Sequence, residues 1–134
     1  MIKIEQLTKH YGKMNALKGI TFEIEQGTVF GFVGPNGAGK STTMSILATL
    51  LEPSSGHAYV GGYEVMSHPA KVRELIGYMP DFFGVYDRLT AYEYLDFYGA
   101  CYHLSVAKRK EMIPKLLEIG ESITQDRCRC GSLK

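Results

Sequence analysis

Apolar and polar positions change rhythm several times along this chain. Residues 2–7 alternate apolar and polar side chains, the pattern of a half-buried strand. Ile20-Thr21-Phe22-Glu23-Ile24 repeats it, and Glu25-Gln26-Gly27 closes it with a turn. Val29-Phe30-Gly31-Phe32-Val33 is apolar without interruption, which predicts a strand buried on both faces, as in parallel sheets. A glycine-rich loop follows directly, and residues 41–51 then have helix composition. Pro53-Ser54-Ser55-Gly56 reads as a loop, and residues 58–60 and 63–65 flank Gly61-Gly62 as the arms of a two-residue hairpin. Residues 69–75 predict a short helix with Pro69 in its first turn, and Ile76-Gly77-Tyr78-Met79 a strand ended by Pro80. From Thr90 onward the rhythm is helical. Thr90 with Glu93 forms the sequence of a capping box, and Ser105 opens a helix running towards Ile119. Beyond Gly120 the chain turns polar. The order of elements makes this an α/β chain, and no internal repeat interrupts it.

Composition narrows the classes. Hydrophobic residues are 45% and charged residues 22% of 134, enough for one small domain with a single core. Lys plus Arg number 15 against 14 acids, without the clustered basic excess that nucleic acid calls for; Lys108-Arg109-Lys110 reads as a solvated helix face. The longest apolar stretch, residues 44–51, is broken by Ser45 and Thr49, too short to cross a bilayer, and the N-terminus has no secretory pattern. The expected location is cytoplasmic. Cys128-Arg129-Cys130 has no second Cys or His pair nearby to complete a four-ligand metal site.

The loop between apolar run and helix carries the chemistry. Gly34-Pro35-Asn36-Gly37-Ala38-Gly39-Lys40-Ser41 matches G-x-x-x-x-G-K-[ST] at every fixed position. Phosphate oxygens need a concave set of donors, and successive backbone N–H groups supply one. Glycine removes the Cβ that would hold the backbone away. The helix behind presents its N-terminal amides and dipole to an anion. Lys40 adds charge for the β- and γ-phosphates, Ser41 a hydroxyl for Mg²⁺, and Thr42 a donor on the α-phosphate side. The expected ligand is ATP with Mg²⁺. The guanine-reading N-K-x-D sequence of GTPases does not occur.

Residues 1–133 together resemble the N-terminal half of an ABC-transporter ATPase subunit. The resemblance rests on the thirteen-residue wording from Gly31 to Thr43, on Lys9-His10-Tyr11-Gly12, and on the run from Ile76 to Tyr86, which is similar to the family's Q-loop region. It implies the P-loop NTPase fold of ABC-ATPase type, with Tyr11 stacking on adenine. Asp81 stands where the family has a glutamine that helps hold Mg²⁺, so it is the matching metal position beside Ser41, with a shorter and charged side chain. Leu89-Thr90-Ala91-Tyr92-Glu93-Tyr94-Leu95 resembles the start of the helical subdomain that contacts the membrane partner. The resemblance divides the chain into a β-rich part with the phosphate loop (1–89), the start of the helical subdomain (90–120) and a polar tail (121–134) that stops before the signature motif.

The family's signature motif, Walker B carboxylates and switch histidine have no match in these 134 residues; His57 and His68 come too early and read as loop positions. The resemblance therefore implies ATP binding with little hydrolysis from the chain as given. It also implies a transmembrane permease partner, a second ATPase subunit paired head to tail, no nucleic acid, and a place at the cytoplasmic face of the membrane. The wording Gly77-Tyr78-Met79-Pro80 is closer to exporter-type subunits. A non-catalytic nucleotide-binding module that regulates a partner is the alternative, and a soluble ABC-type ATPase, which usually carries tandem cassettes, fits the short chain less well.

Overall fold

The computed structural model describes residues 1–80, 84, 86 and 88–119. Asp81 and the polar tail lie outside the described residues, so the expectations attached to them go no further. The chain divides into two units, Met1–Met79 and Pro80–Lys134.

The first unit is built on a four-stranded antiparallel sheet. Strand β1 is Ile2–Tyr11, β2 Met14–Ile24, β3 Ser55–Val60 and β4 Tyr63–Glu64, in the spatial order β2-β1-β3-β4. The first two strands extend beyond the alternating runs read from the sequence, because a two-residue turn at Gly12-Lys13 lets Tyr11 pair with Met14. The second hairpin forms as expected: Gly61 and Gly62 take φ of 59° and 87°, the paired left-handed angles that match the twist of the strands they join. Register slips in β1 on either side of Gln6, whose φ is 47°. Gly56 fits beneath this irregularity, since a Cβ there would run into the Gln6 backbone.

Two helices complete the unit: α1, Lys40–Leu47, and α2, Pro69–Leu75. Ile46 and Leu47 of α1 join Ile4, Leu7, Leu17, Ala58, Val60, Val65 and Val72 in one core. Helix α1 is shorter than the helical run of the sequence. Thr49 takes φ 61°, and the amides of Thr49 and Leu50 turn back to the carbonyls of Ile46 and Ser45, each at 2.9 Å. This pair of bonds is the Schellman stop, with a threonine in the place glycine usually holds. The Thr49 hydroxyl accepts a hydrogen bond from Arg73 Nε at 2.7 Å, tying the stop to α2.

The apolar run 29–33 departs from expectation. It pairs with no strand among the described residues, and one face of it is bare: Val29 is 100% and Val33 92% exposed. The other face is partly covered: Phe30 and Phe32 each place their rings 5.6 Å from that of Phe22 on β2, although Phe30 is still 49% exposed. These three rings, with Met44 and Leu47, line an apolar depression of about 230 Å³. The pattern predicts a strand with two buried faces; the described residues supply partial side-chain cover for one face and no strand partner for the run. Residues 76–79, also expected as a strand, are likewise unpaired, with Met79 exposed. A parallel strand has no local hairpin partner to fall back on, so its apolar sequence alone does not make it pair.

The second unit contains α3, Ala91–Cys101, and α4, Val106–Ile119. The Thr90–Glu93 capping box closes in both directions: Glu93 N donates to Thr90 Oγ1 at 3.2 Å, and Thr90 N donates to Glu93 Oε2 at 2.8 Å. Ser105 Oγ accepts from Lys108 N at 3.3 Å at the start of α4. Arg109 ties the helices together, reaching Asp96 Oδ1 at 2.8 Å and the Leu104 carbonyl at 2.7 Å across the Cβ-free surface of Gly99.

Candidate functional site

The phosphate loop turns into α1 at Gly39, and this turn is fixed from the outside. Gly39 takes φ 84° and is buried. A Cβ there would collide with the Leu17 side chain and lie 2.6 Å from the Ala16 carbonyl oxygen, so β2 presses directly against the backbone of the loop. The Thr43 hydroxyl, wholly buried on the inner face of α1, donates to the Gly39 carbonyl at 2.9 Å, beside the helical bond from Thr43 N to the same oxygen. Gly39 is thus held between a strand and a helix, and the amides of the first helical turn face outward. Thr43 was not singled out from the sequence. Its signal was there: it stands three and four residues before Ile46 and Leu47, on the same buried face.

Gly37 also has positive φ, 83°, but nothing approaches its missing Cβ; its need for glycine is conformational rather than steric. Gly34, Pro35, Asn36 and Ala38 are exposed, with Ala38 N donating to the Pro35 carbonyl at 3.2 Å to curl the loop. Lys40 Nζ reaches back over this curl and donates to the carbonyls of Gly34 at 2.5 Å and Pro35 at 2.8 Å. The lysine is thus hydrogen-bonded to its own loop. The Ser41 hydroxyl is exposed in the first turn and makes no hydrogen bond among the described residues, and Thr42 is half-buried beside it. Donor amides, an ammonium and a free hydroxyl are the set that a triphosphate and an oxygen-binding cation such as Mg²⁺ require. The residues present fit that pair.

Tyr11 stands at the end of β1, 45% exposed, with Lys9 Nζ 5.4 Å from its ring centre. Its partner Met14 is two and three residues from Ala16 and Leu17 along β2, about 7–10 Å at ordinary strand rise. The ring thus projects from the same end of the sheet that supports Gly39. The neighbourhood is tied down: Lys9 Nζ donates to the Glu52 carbonyl at 2.6 Å, His10 N to Ser54 Oγ at 3.0 Å, and Ser54 N to the Thr8 carbonyl at 2.9 Å. Lys9 had no assigned role in the sequence reading. Its place two residues before an aromatic on a strand, which puts both side chains on one face, is the signal that would have found it.

The histidines read as loop positions lie elsewhere. His57 is on β3, where its Nδ1 meets Glu64 Oε1 at 2.6 Å, and His68 precedes α2. The Ser67 hydroxyl donates to the same carboxylate and, with His57, holds Glu64 below the usual carboxylate range. No group of three or more metal-binding side chains occurs among the described residues, and none of their helices is long and apolar enough to cross a membrane.

A family model described as ABC transporter matches residues 17–129. The linearmycin resistance ATP-binding protein LnrL of Bacillus subtilis is 42% identical over 118 residues, which are 88% of this chain and 38% of that protein. Among solved structures, an ATP-binding subunit of an ABC transporter superposes with TM-score 0.83 at 28% identity, over 99% of this chain and 55% of that one. A dimeric ATP-binding cassette, solved after hydrolysis with ADP and Pi, shares the fold at TM-score 0.82 and 24% identity, over 100% of this chain and 63% of that one. The chain therefore spans between 38% and 63% of the length of these proteins. With the matched segment running from the middle of β2 through the phosphate loop and both later helices, the chain belongs to the ABC transporter family of ATP-binding proteins.

Proposed function

We propose that this chain holds the triphosphate of ATP, with Mg²⁺, as part of an ABC transporter ATP-binding subunit. The observation that carries the proposal is the convergence at the start of α1: Gly39 locked in a left-handed turn against Leu17, the Lys40 ammonium at the mouth of the loop, and the unbonded Ser41 hydroxyl beside it. In this reading the backbone amides from Gly37 to Ser41 cradle the β- and γ-phosphates, with Lys40 leaving the Gly34 and Pro35 carbonyls to meet them. Thr42 donates on the α-phosphate side. Ser41 would hold Mg²⁺, which when bound neutralises phosphate charge; Asp81 is a second candidate ligand by sequence. Tyr11 offers its open face to adenine. The carboxylate that would polarise an attacking water, the Walker B aspartate, and the signature motif that would clamp ATP from a partner subunit have no match in these 134 residues, so binding without turnover is expected from them alone.

The whole subunit would pair with a second ATPase subunit and dock on a transmembrane permease, at the cytoplasmic face of the membrane. The dimeric arrangement of the cassette structure and the transporter role of the relatives support this. The resistance named for the Bacillus relative, together with the exporter-like wording at residues 77–80, favours export.

Titration of a fluorescent ATP analogue against wild type and Lys40→Ala tests the binding reading. The charge-assisted contact is worth about 1.5–3 kcal/mol, so affinity should fall by roughly ten- to a hundredfold. Equal affinity in two folded proteins would end the phosphate-cradle proposal.

A further inference from the structure

We propose that Lys9 is a positioning and polarising residue for the nucleotide base, acting through Tyr11; this rests on the reading of Tyr11 as the base platform. Three observations lead to it. The Lys9 ammonium lies over the Tyr11 ring at 5.4 Å from the centre, within the range of a cation–π contact. It is anchored there by the Glu52 carbonyl at 2.6 Å, so the strand and the segment after α1 jointly fix its position. That acceptor is neutral, and no carboxylate among the described residues pairs with Lys9, so its charge is not cancelled locally.

A cation on one face of an aromatic ring has two effects on a ligand. It occupies that face, which leaves a base only the opposite one. It also draws the ring's π-density towards itself, which lowers the repulsion between the far face and the π-cloud of a stacked base. Lys9 therefore selects the stacking face of Tyr11 and strengthens stacking on it, without touching the nucleotide.

The test compares two ligands, ATP and inorganic tripolyphosphate, both with Mg²⁺, by calorimetric titration of the full chain. Lys9→Met should weaken ATP about two- to fivefold, the size of an exposed cation–π contact, and leave tripolyphosphate unchanged. Lys9→Arg should restore ATP affinity. In a Tyr11→Leu background Lys9→Met should have no effect. Should Lys9→Met fail to fold, Lys9→Gln, neutral but still an N–H donor, takes its place. An equal loss for both ligands would mean that Lys9 acts on the phosphates, and a loss that persists without Tyr11 would mean that it acts through Glu52. Either result, or no loss at all, overturns the proposal. If Tyr11→Leu itself leaves ATP affinity unchanged, it is the base-platform reading that falls.

Discussion

Leu17 fills the space that a side chain at position 39 would need. Its Cδ2 and the Ala16 carbonyl crowd the α-carbon of Gly39, whose φ of 84° is itself unfavourable for any other residue. The phosphate loop is therefore shaped by β2, twenty-two residues upstream, as much as by its own glycines. Gly39→Ala should both unfold more easily and bind ATP poorly. A non-glycine residue forced into this conformation costs about 1–3 kcal/mol before the collision with Leu17 is counted. Adding Leu17→Ala should relieve the collision with the leucine side chain and leave both the crowding by the Ala16 carbonyl and the backbone penalty. Thermal melting of the two single variants and the double variant measures both. Simple additivity would show that the two residues do not share this space.

Tyr11 separates ring from hydroxyl. The proposed contact uses the face of the ring, so Tyr11→Phe should keep most of the ATP affinity and Tyr11→Ala should lose it. Stacking of a base on an aromatic is worth about 1–3 kcal/mol in single-strand sites, a guide to the size here. Titration of both variants checks this. A phenylalanine as damaging as alanine would assign the side chain's importance to its hydroxyl.

Acid should loosen the start of α3. The Thr90 amide, and then its hydroxyl, donate to Glu93 and hold its carboxyl below the ordinary glutamate value. A folded pKa that is depressed contributes stability fully above the unfolded value, about 4.3, and loses it as pH falls through the lower folded one. Circular dichroism below pH 4.5 should therefore show helix lost in wild type with a component absent from Glu93→Gln, whose side chain can still accept from Thr90 but cannot titrate. Identical acid profiles would remove the capping box from the account.

What the sequence made legible were the features with local causes. The Gly61-Gly62 hairpin, the Pro69 start of α2 and the Thr90–Glu93 cap each depend on a few adjacent residues, and each is found where expected. The glycine-rich turn into a helix at residue 40 was legible for the same reason. The run 29–33 was not, because apolarity says how much cover a segment wants and nothing about which segment supplies it. Phe30 and Phe32 found Phe22; Val29 and Val33 found water. The role of Leu17 was hidden differently. In sequence it is one more strand leucine, and only the β1–β2 hairpin brings it beneath a glycine so far along the chain. Lys9 and Thr43 lay in plain view by their spacing, but strand and helix periodicity point to a shared face without naming what else is on it.

The hold of the Lys40 ammonium on the Gly34 and Pro35 carbonyls turns ligand capture into a displacement. In the proposed binding mode an incoming triphosphate would not meet an unengaged cation. It competes with two peptide oxygens for one that is already engaged. The apparent affinity then reports a preference, anion over neutral dipole, rather than the full strength of the new contact. The two sides of that preference respond differently to the medium. Dissolved ions shield the attraction between lysine and phosphate, with a reach of about 8 Å at physiological salt, while the short bonds to the carbonyls are little affected. Rising ionic strength should thus move the lysine's preference away from phosphate and towards its own backbone.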